Sequence, residues 1–308
     1  MNRGQGNNKI NDLKLLIMKE QVVLSLFNGM NTLRQAMENI GIPVKKYYSS
    51  EIKPYAIKLT QYHFPDTIQL GDITKWREWD IDWSEITFIG SGSPCQDLSA
   101  AGNRAGVING EKSSLFFTFI EILNHCKKLN PDVKFLQENV GSANTADIGI
   151  MSRELGVYPV RINSELVVAA SRDRYYWTNI KTKQSMFDTI TDIPLPNDRK
   201  ITFQSILTSG YTDREKARAI LESEERPLKD KVKLYRRYKE FGMINVVFDN
   251  IECVANEKIR ILNETELCRL QGFPDNYCSI LSRKQTASLL GDGWTLPVIE
   301  HILSFYKD

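Results

Sequence analysis

The sequence predicts an α/β protein with a mostly parallel sheet, followed by a second, smaller domain. Three observations carry that reading. Short apolar, β-favouring runs alternate with helix-period segments through the first half of the chain. Each run ends in a turn marked by glycine or a polar residue. Near residue 181 the alternation stops, and prolines (Pro194, Pro196, Pro227) and charge take over.

The elements follow in order. Val22-Val23-Leu24-Ser25-Leu26-Phe27 is a continuous apolar run, as expected of a strand covered on both faces, and it ends at Asn28-Gly29. Leu33, Ala36, Met37 and Ile40 then fall at helical spacing, with Asn31 or Thr32 placed to cap the helix and Gly41 to stop it. Val44 to Ser49 predicts a second strand leading to Glu51, and Thr67 to Leu70 a third leading to Gly71-Asp72. Ile86 to Gly90 predicts a fourth, running into Gly92-Ser93-Pro94-Cys95. A long amphipathic helix from about Ser114 to Leu129 precedes a strand over Val133 to Leu136, which leads to Gln137-Glu138-Asn139. Late in the chain, Asn263-x-x-Glu266 and Ser282-x-x-Gln285 read as capping boxes, and the last helix places Val298, Ile299, Ile302 and Leu303 on one face. The expected division is 1–180, 181–275 and 276–308, the last segment returning to the first domain.

Composition narrows the class. The chain has 308 residues, 42% hydrophobic and 25% charged, which excludes a disordered or collagen-like polymer. No run approaches the roughly 18 apolar residues of a membrane span. The polar N-terminal stretch lacks the apolar core of a secretory signal, so a cytoplasmic location is expected. Five cysteines with no CxxC pair argue against a disulfide framework or a zinc ribbon, and three scattered histidines argue against a metal site. The net charge of +2 decides nothing about nucleic acid.

The residues with chemistry gather at strand ends, where open α/β sheets bind ligands. Glu51 follows Gly29 by about 20 residues, and Asp72 follows Glu51 by about 20, the spacing at which a carboxylate meets ribose hydroxyls. A plain turn with a solvated acid has the same spacing. The turn lacks the glycines that admit a pyrophosphate, so a cofactor without one fits better. Cys95, after Pro94 in a turn beyond a buried strand, is placed as a thiolate nucleophile at the sheet's active edge, or else as an ordinary buried cysteine. Glu138 should share that edge, unless it serves only a strand-end salt bridge. Arg172 and Arg174, two apart, share one face of an extended segment, whether toward a ligand or toward solvent.

Taken in order, Phe27-Asn28-Gly29, Gly92-Ser93-Pro94-Cys95-Gln96, Gln137-Glu138-Asn139-Val140, Arg172-x-Arg174 and Arg269-Leu270-Gln271-Gly272-Phe273-Pro274 resemble the DNA (cytosine-5) methyltransferase family. Leu289-Leu290-Gly291-Asp292-Gly293-Trp294 looks like that family's last motif. Ser25-Leu26-Phe27, Leu115-Phe116-Phe117 and Gly293-Trp294 look closest to its de novo branch. The first motif lacks the family's usual later glycine, and Asp292-Gly293 stands where many bacterial members carry Asn-Ser.

The resemblance implies a Rossmann-like S-adenosylmethionine-dependent methyltransferase sheet with a smaller target-recognition domain. It implies that Cys95 attacks C6 of a flipped-out cytosine, with Glu138 on the N3 side and Arg174 and Arg172 holding the base and a nearby phosphate. For S-adenosylmethionine it implies Phe27, Asn28, Gly29, Met30, Asn31 and Thr32 at the methionine portion, and Glu51 and Ile52 at the ribose. Asp72 and Ile73 would lie at the adenine, with Pro94, Asp292, Gly293 and Trp294 nearby. Double-stranded DNA is the implied partner, met by Gln96, Ser99 and a lid over Ala100 to Lys112 bearing Arg104. In the second domain, the stretch from Arg226 to Lys239 holds seven basic residues against one acid. Lys231, Lys233, Arg236 and Arg237 beside Tyr235 and Tyr238 form a phosphate-binding footprint, or a merely solvated charged helix. An RNA cytosine methyltransferase, or a non-catalytic DNA-binding regulator on the same fold, would also carry this scaffold. A restriction partner, as in restriction-modification pairs, is not legible in the chain itself.

Overall fold

The computed structural model describes residues 18–94, 106–109, 115–220, 231–242, 244–254 and 258–306. At its centre is β1 (Gln21–Leu26), with all six residues buried. Strand alternation turns Val23 to one face and Val22, Leu24 and Leu26 to the other, so β1 feeds two cores. This is why its sequence is a continuous apolar run rather than an alternating one.

Beyond the loop 27–31, α1 (Thr32–Ile40) leads to β2 (Val44–Ser50), α2 (Pro54–His63) and the short edge strand β3 (Ile68–Gln69). The chain then crosses to the other side of β1 as β4 (Phe88–Ser91), α3 (Leu115–Leu129), β5 (Lys134–Val140), α4 (Thr145–Leu155), β6 (Val160–Asn163) and β7 (Asp173–Thr178). The seven strands lie in the order β3-β2-β1-β4-β5-β7-β6. β1 to β5 are parallel, and β7 runs antiparallel to both β5 and β6. The direction of winding reverses between β1 and β4, which opens a crevice beyond their C-terminal ends.

Two local expectations change. The strand expected over Val133 to Leu136 continues to Val140, because the antiparallel ladder with β7 pairs Glu138 with Tyr176 and Val140 with Arg174. Glu138 therefore stands inside a strand rather than after one. Asn31 occupies the N-cap position of α1 but accepts no capping bond through its side chain. Its backbone is left-handed, at φ 62° and ψ 33°, and N-cap residues bond the helix from extended backbone. Gly41 ends that helix as expected, at φ 76°.

After β7 the chain forms a hairpin over 182–191, and then Ile193, Phe203, Ile206, Ala217 and Ile220 join the main core. A small separate core gathers Leu234, Tyr238, Ile244, Val246, Phe248 and Ile259. It is built on α5 (Lys231–Arg236), its π-helical continuation Arg237–Phe241, and the antiparallel pair β8 (Val247–Phe248) and β9 (Ile259–Arg260). The expected boundary at 181 is thus not a boundary between cores.

The last helices pack back toward the sheet domain. α6 (Glu264–Leu270) and α7 (Arg283–Asp292) open on the two capping boxes read from the sequence. α8 (Leu296–Leu303) packs on α1, with Val298, Ile299, Ile302 and Leu303 buried. Among the described residues no helix is long and apolar enough to cross a membrane, and no cluster of His, Cys, Asp and Glu could hold a metal ion.

Candidate active site

The crevice between β1 and β4 holds a cavity of about 520 Å³. Its wall is made by strand ends. Phe27, Asn28 and Gly29 come from the end of β1, and Glu51, Ile52 and Lys53 from the end of β2. Asp72, Ile73 and Thr74 come from the turn after β3, Gly92, Ser93 and Pro94 from the end of β4, and Glu138 from β5. Arg172 and Arg174 enter from the start of β7, and Asp292, Gly293 and Trp294 from the end of α7.

Each side chain has a local reason for its place. Glu51 ties the loop after β1 to the end of β2. Its Oε2 accepts from the Gly29 N–H at 2.8 Å, and its Oε1 accepts from Ile52 N–H and Lys53 N–H at 2.8 and 2.9 Å. Gly29 sits at φ 54°, and a Cβ added there would meet nothing nearer than the Phe27 carbonyl oxygen at 3.8 Å, so the backbone is open to the cavity. Asp72 caps a short 3₁₀ helix by accepting from Thr74 N–H at 2.9 Å. Trp294 lies against Gly92 so closely that a Cβ on Gly92 would stand 2.7 Å from the indole Nε1.

The turn that leads to Cys95 is pinned from β5. Ser93 is buried, and its Oγ accepts from Gln137 Nε2 at 2.9 Å and Asn139 Nδ2 at 3.3 Å. Glu138, between these two residues, points to the opposite face, where its Oε1 meets Arg174 Nε at 2.8 Å. Arg172 is buried and donates from Nη1 to the Gly291 carbonyl at 2.7 Å, joining β7 to the end of α7. At the mouth, Lys53 Nζ meets Asp292 Oδ2 at 2.6 Å. Burial lowers the pKa of the Lys53 ammonium, but the Asp292 carboxylate outweighs it and the net shift is upward.

The sequence-expected residues divide into four groups. Phe27, Asn28, Gly29, Thr32, Glu51, Ile52, Asp72, Ile73, Pro94, Glu138, Arg172, Arg174, Asp292, Gly293 and Trp294 line one cavity. Met30 and Asn31 do not line it: both side chains are buried behind the loop, Met30 in the main core. Cys95, Gln96, Ser99 and Arg104 lie outside the described residues, as does most of the expected lid. Lys233, Arg236 and Arg237 lie on α5 and its continuation, away from the cavity wall, as does the backbone of Lys231. Arg236 Nε contacts both Glu240 oxygens at 2.8–2.9 Å, so part of the basic charge is offset locally. The sequence reading missed Lys53, Ser93 and Leu115 as lining residues. Ser93 had a signal, standing beside Pro94 in the turn; Lys53 is explained only by Asp292, far away in the chain.

The cysteines whose side chains are described do not line the cavity. Cys126, Cys268 and Cys278 are buried in the cores, and burial pushes the Cys126 thiol up to about 12.

Against known proteins, the family profile described as C-5 cytosine-specific DNA methylase matches residues 22–209 and 169–307. The chain belongs to that family. The type II methyltransferase M.NlaIV of Neisseria lactamica is 32% identical over 143 residues, 45% of this chain and 32% of the relative. The type II methyltransferase M1.ScrFI of Lactococcus lactis subsp. cremoris is 27% identical over 305 residues, 91% of this chain and 76% of the relative. The match to the first of these thus spans about a third of that relative's length. Among solved structures, the Entamoeba histolytica methyltransferase EhMeth superposes with a TM-score of 0.64 at 16% identity, covering 94% of this chain and 98% of that one. Spodoptera frugiperda DNMT2 does so with a TM-score of 0.59 at 18% identity, covering 93% and 99%. What this chain shares with these two structures is the fold, a mixed α/β architecture with a large central sheet.

Proposed function

We propose that this chain transfers a methyl group from S-adenosylmethionine to C5 of a flipped-out cytosine in double-stranded DNA, through a covalent bond to Cys95. The observation that carries the proposal is the ion pair of Glu138 and Arg174 on the wall of the same cavity as Gly29, Glu51 and Asp72. A base-holding pair and a nucleoside-sized pocket with acidic corners thus share one space. Pro94, the residue bonded to Cys95, is on that wall as well.

The residues fit S-adenosylmethionine. Glu51 and Asp72 offer carboxylates to hydroxyl and amino groups, Gly29 leaves open backbone, and Trp294, Ile52 and Ile73 offer apolar surface. The bound cofactor supplies an electrophilic methyl group on a sulfonium. The protein's own steps are these. The Cys95 thiolate bonds to C6, and ring electrons move to C5 while Glu138 hydrogen-bonds the N3 side. Arg174 holds Glu138 in place and leaves its remaining N–H donors for the base carbonyl. After C5 takes the methyl group, a base removes the C5 proton, the C5–C6 double bond re-forms and the thiolate leaves. The small core around α5 is the region proposed to read DNA, with Lys233 and Arg237 meeting phosphates.

The test is methylation itself. Purified protein with labelled S-adenosylmethionine should form 5-methylcytosine in duplex DNA, quantified as nucleosides by mass spectrometry, and should form none in transfer RNA. Product in transfer RNA alone would move the proposal to the RNA enzyme. Absence of product in both, with DNA bound, would leave a binding module.

A further inference from the structure

The loop after β1 has an unusual backbone for so few glycines. Phe27, Gly29 and Asn31 all have positive φ, at 56°, 54° and 62°. Side chains disfavour this region, and asparagine tolerates it better than most. Nothing about the Asn31 side chain compensates: its amide is buried, and neither Nδ2 nor Oδ1 has a hydrogen-bond partner. Within the loop, Asn31 N–H donates to the Asn28 carbonyl at 2.9 Å, and something outside the loop adds a second hold.

That something reaches in from the far end of the chain. Tyr277 Oη donates to the Met30 carbonyl at 2.9 Å. The Met30 carbonyl belongs to the peptide plane whose rotation about the Asn31 N–Cα bond is φ of Asn31. The other side of Asn31 is fixed by α1, whose Gln35 N–H donates to the Asn31 carbonyl at 3.1 Å. With the helix fixing one side, and Tyr277 together with the Asn28 carbonyl fixing the other, left-handed φ is what remains. Tyr277 is itself clamped. It stacks on His63 with ring centroids 4.0 Å apart and 7° between planes, and Phe273 packs at 4.6 Å. His63 Nε2 donates to the Tyr277 carbonyl at 2.7 Å. A second tyrosine acts elsewhere in the loop: Tyr47 Oη donates to Asn28 Oδ1, and Asn28 Nδ2 donates to Thr60 Oγ1, both at 3.1 Å.

We infer that Tyr277 is a positioning residue for the cofactor, its hydroxyl holding the 30–31 peptide in the left-handed form that a glycine would adopt unaided. The inference rests on the cavity being the S-adenosylmethionine site. It explains how a loop without the family's later glycine keeps Asn28 and Gly29 on the cavity wall. It also gives the segment after Arg269-Leu270-Gln271-Gly272-Phe273-Pro274 a role in cofactor binding.

The experiment is a double-mutant cycle on S-adenosylmethionine affinity, measured by calorimetry, with denaturant unfolding of the cofactor-free protein as a second readout. Tyr277→Phe should weaken binding roughly tenfold, the worth of one buried hydrogen bond. In an Asn31→Gly background the same change should cost about threefold or less, because glycine needs no holding. Tyr47→Phe, which does not touch the 30–31 peptide, should cost the same in both backgrounds. The same coupling should appear in the unfolding midpoints. Equal cost of Tyr277→Phe in both backgrounds, or no cost while the wild type binds, would overturn the inference and leave the cofactor site standing. A folded wild type without affinity for S-adenosylmethionine would instead overturn the cofactor reading, and this inference with it.

Discussion

Arg174 and Glu138 are diagonal neighbours across the antiparallel pair of β7 and β5, and their side chains meet at 2.8 Å beside the cavity. Tyr176 stands directly opposite Glu138, and Arg174, two residues away, falls on the same face within reach of a long side chain. Both side chains are largely buried, at 16% and 9% exposed, so the pair is a shielded one. Removing the arginine leaves a buried carboxylate alone.

Arg174→Ala is therefore expected to destabilise the fold by roughly 3 kcal/mol, the cost of breaking a buried pair from one side. Arg174→Lys keeps the charge and loses the planar fork, and should fold with turnover lowered on the order of 10–100-fold. Urea unfolding and steady-state methylation rates check the two halves.

Gly92→Ala should damage the proposed cofactor site by crowding alone. The new Cβ would stand 2.7 Å from Trp294 Nε1, and the indole must move. A stability loss of about 1–3 kcal/mol is expected for such overpacking, with weaker S-adenosylmethionine binding. Unfolding midpoints and calorimetry on the variant test this, and unchanged affinity would remove Trp294 from the cofactor's surroundings.

Glu266 makes a prediction about acid stability. It is fully buried at the start of α6; burial pushes its pKa up, but the Arg260 guanidinium and the N–H groups of Asn263 and Thr208 outweigh that, and the net shift is downward. A carboxylate depressed in the folded state contributes stability above the ordinary carboxylate range and loses it as pH falls through the folded value. Glu266→Gln should thus be clearly destabilising at neutral pH and progressively less so below about pH 4. Urea titrations at several pH values read this directly, and a penalty independent of pH would contradict it.

The basic helix should contribute salt-dependent affinity. Lys233 and Arg236 are both exposed on α5, Arg236 with Glu240 beside it. Lys233→Ala and Arg236→Ala should each lower the slope of log affinity against log salt for duplex DNA by up to about one unit. An unchanged slope for both would mean that α5 is only a solvated face.

The parts of this molecule that were legible in the sequence are those written locally. β1 announces itself because both its faces are covered, and the capping boxes of α6 and α7 are four-residue patterns that the structure reproduces. The strand-end residues Glu51, Asp72 and Pro94 were placed on one edge because a parallel sheet puts them there. What was illegible depends on distant partners. Glu138 read as lying just past the strand because Gln-Glu-Asn is polar, and only the ladder with β7 makes it strand. Asn31 read as a cap, but its φ is set by a tyrosine hydroxyl 246 positions further along the chain (Tyr277, bonded to Met30). Lys53 acquires meaning only from Asp292.

The central claim is that Cys95 forms the covalent bond, and one measurement tests it most directly. Fluorine at C5 of cytosine permits addition of the thiolate at C6 and methyl transfer, but it cannot leave as a proton does, so the bond to the enzyme persists. The protein is incubated with S-adenosylmethionine and a duplex bearing 5-fluorocytosine in a site it methylates, then run on a denaturing gel. A denaturation-resistant adduct is predicted for the wild type and for Cys126→Ala, whose thiol is buried away from the cavity, and none for Cys95→Ala. Methylation of cytosine by the Cys95→Ala protein, or a wild type that methylates the site yet leaves no adduct on its fluorinated form, would contradict the account.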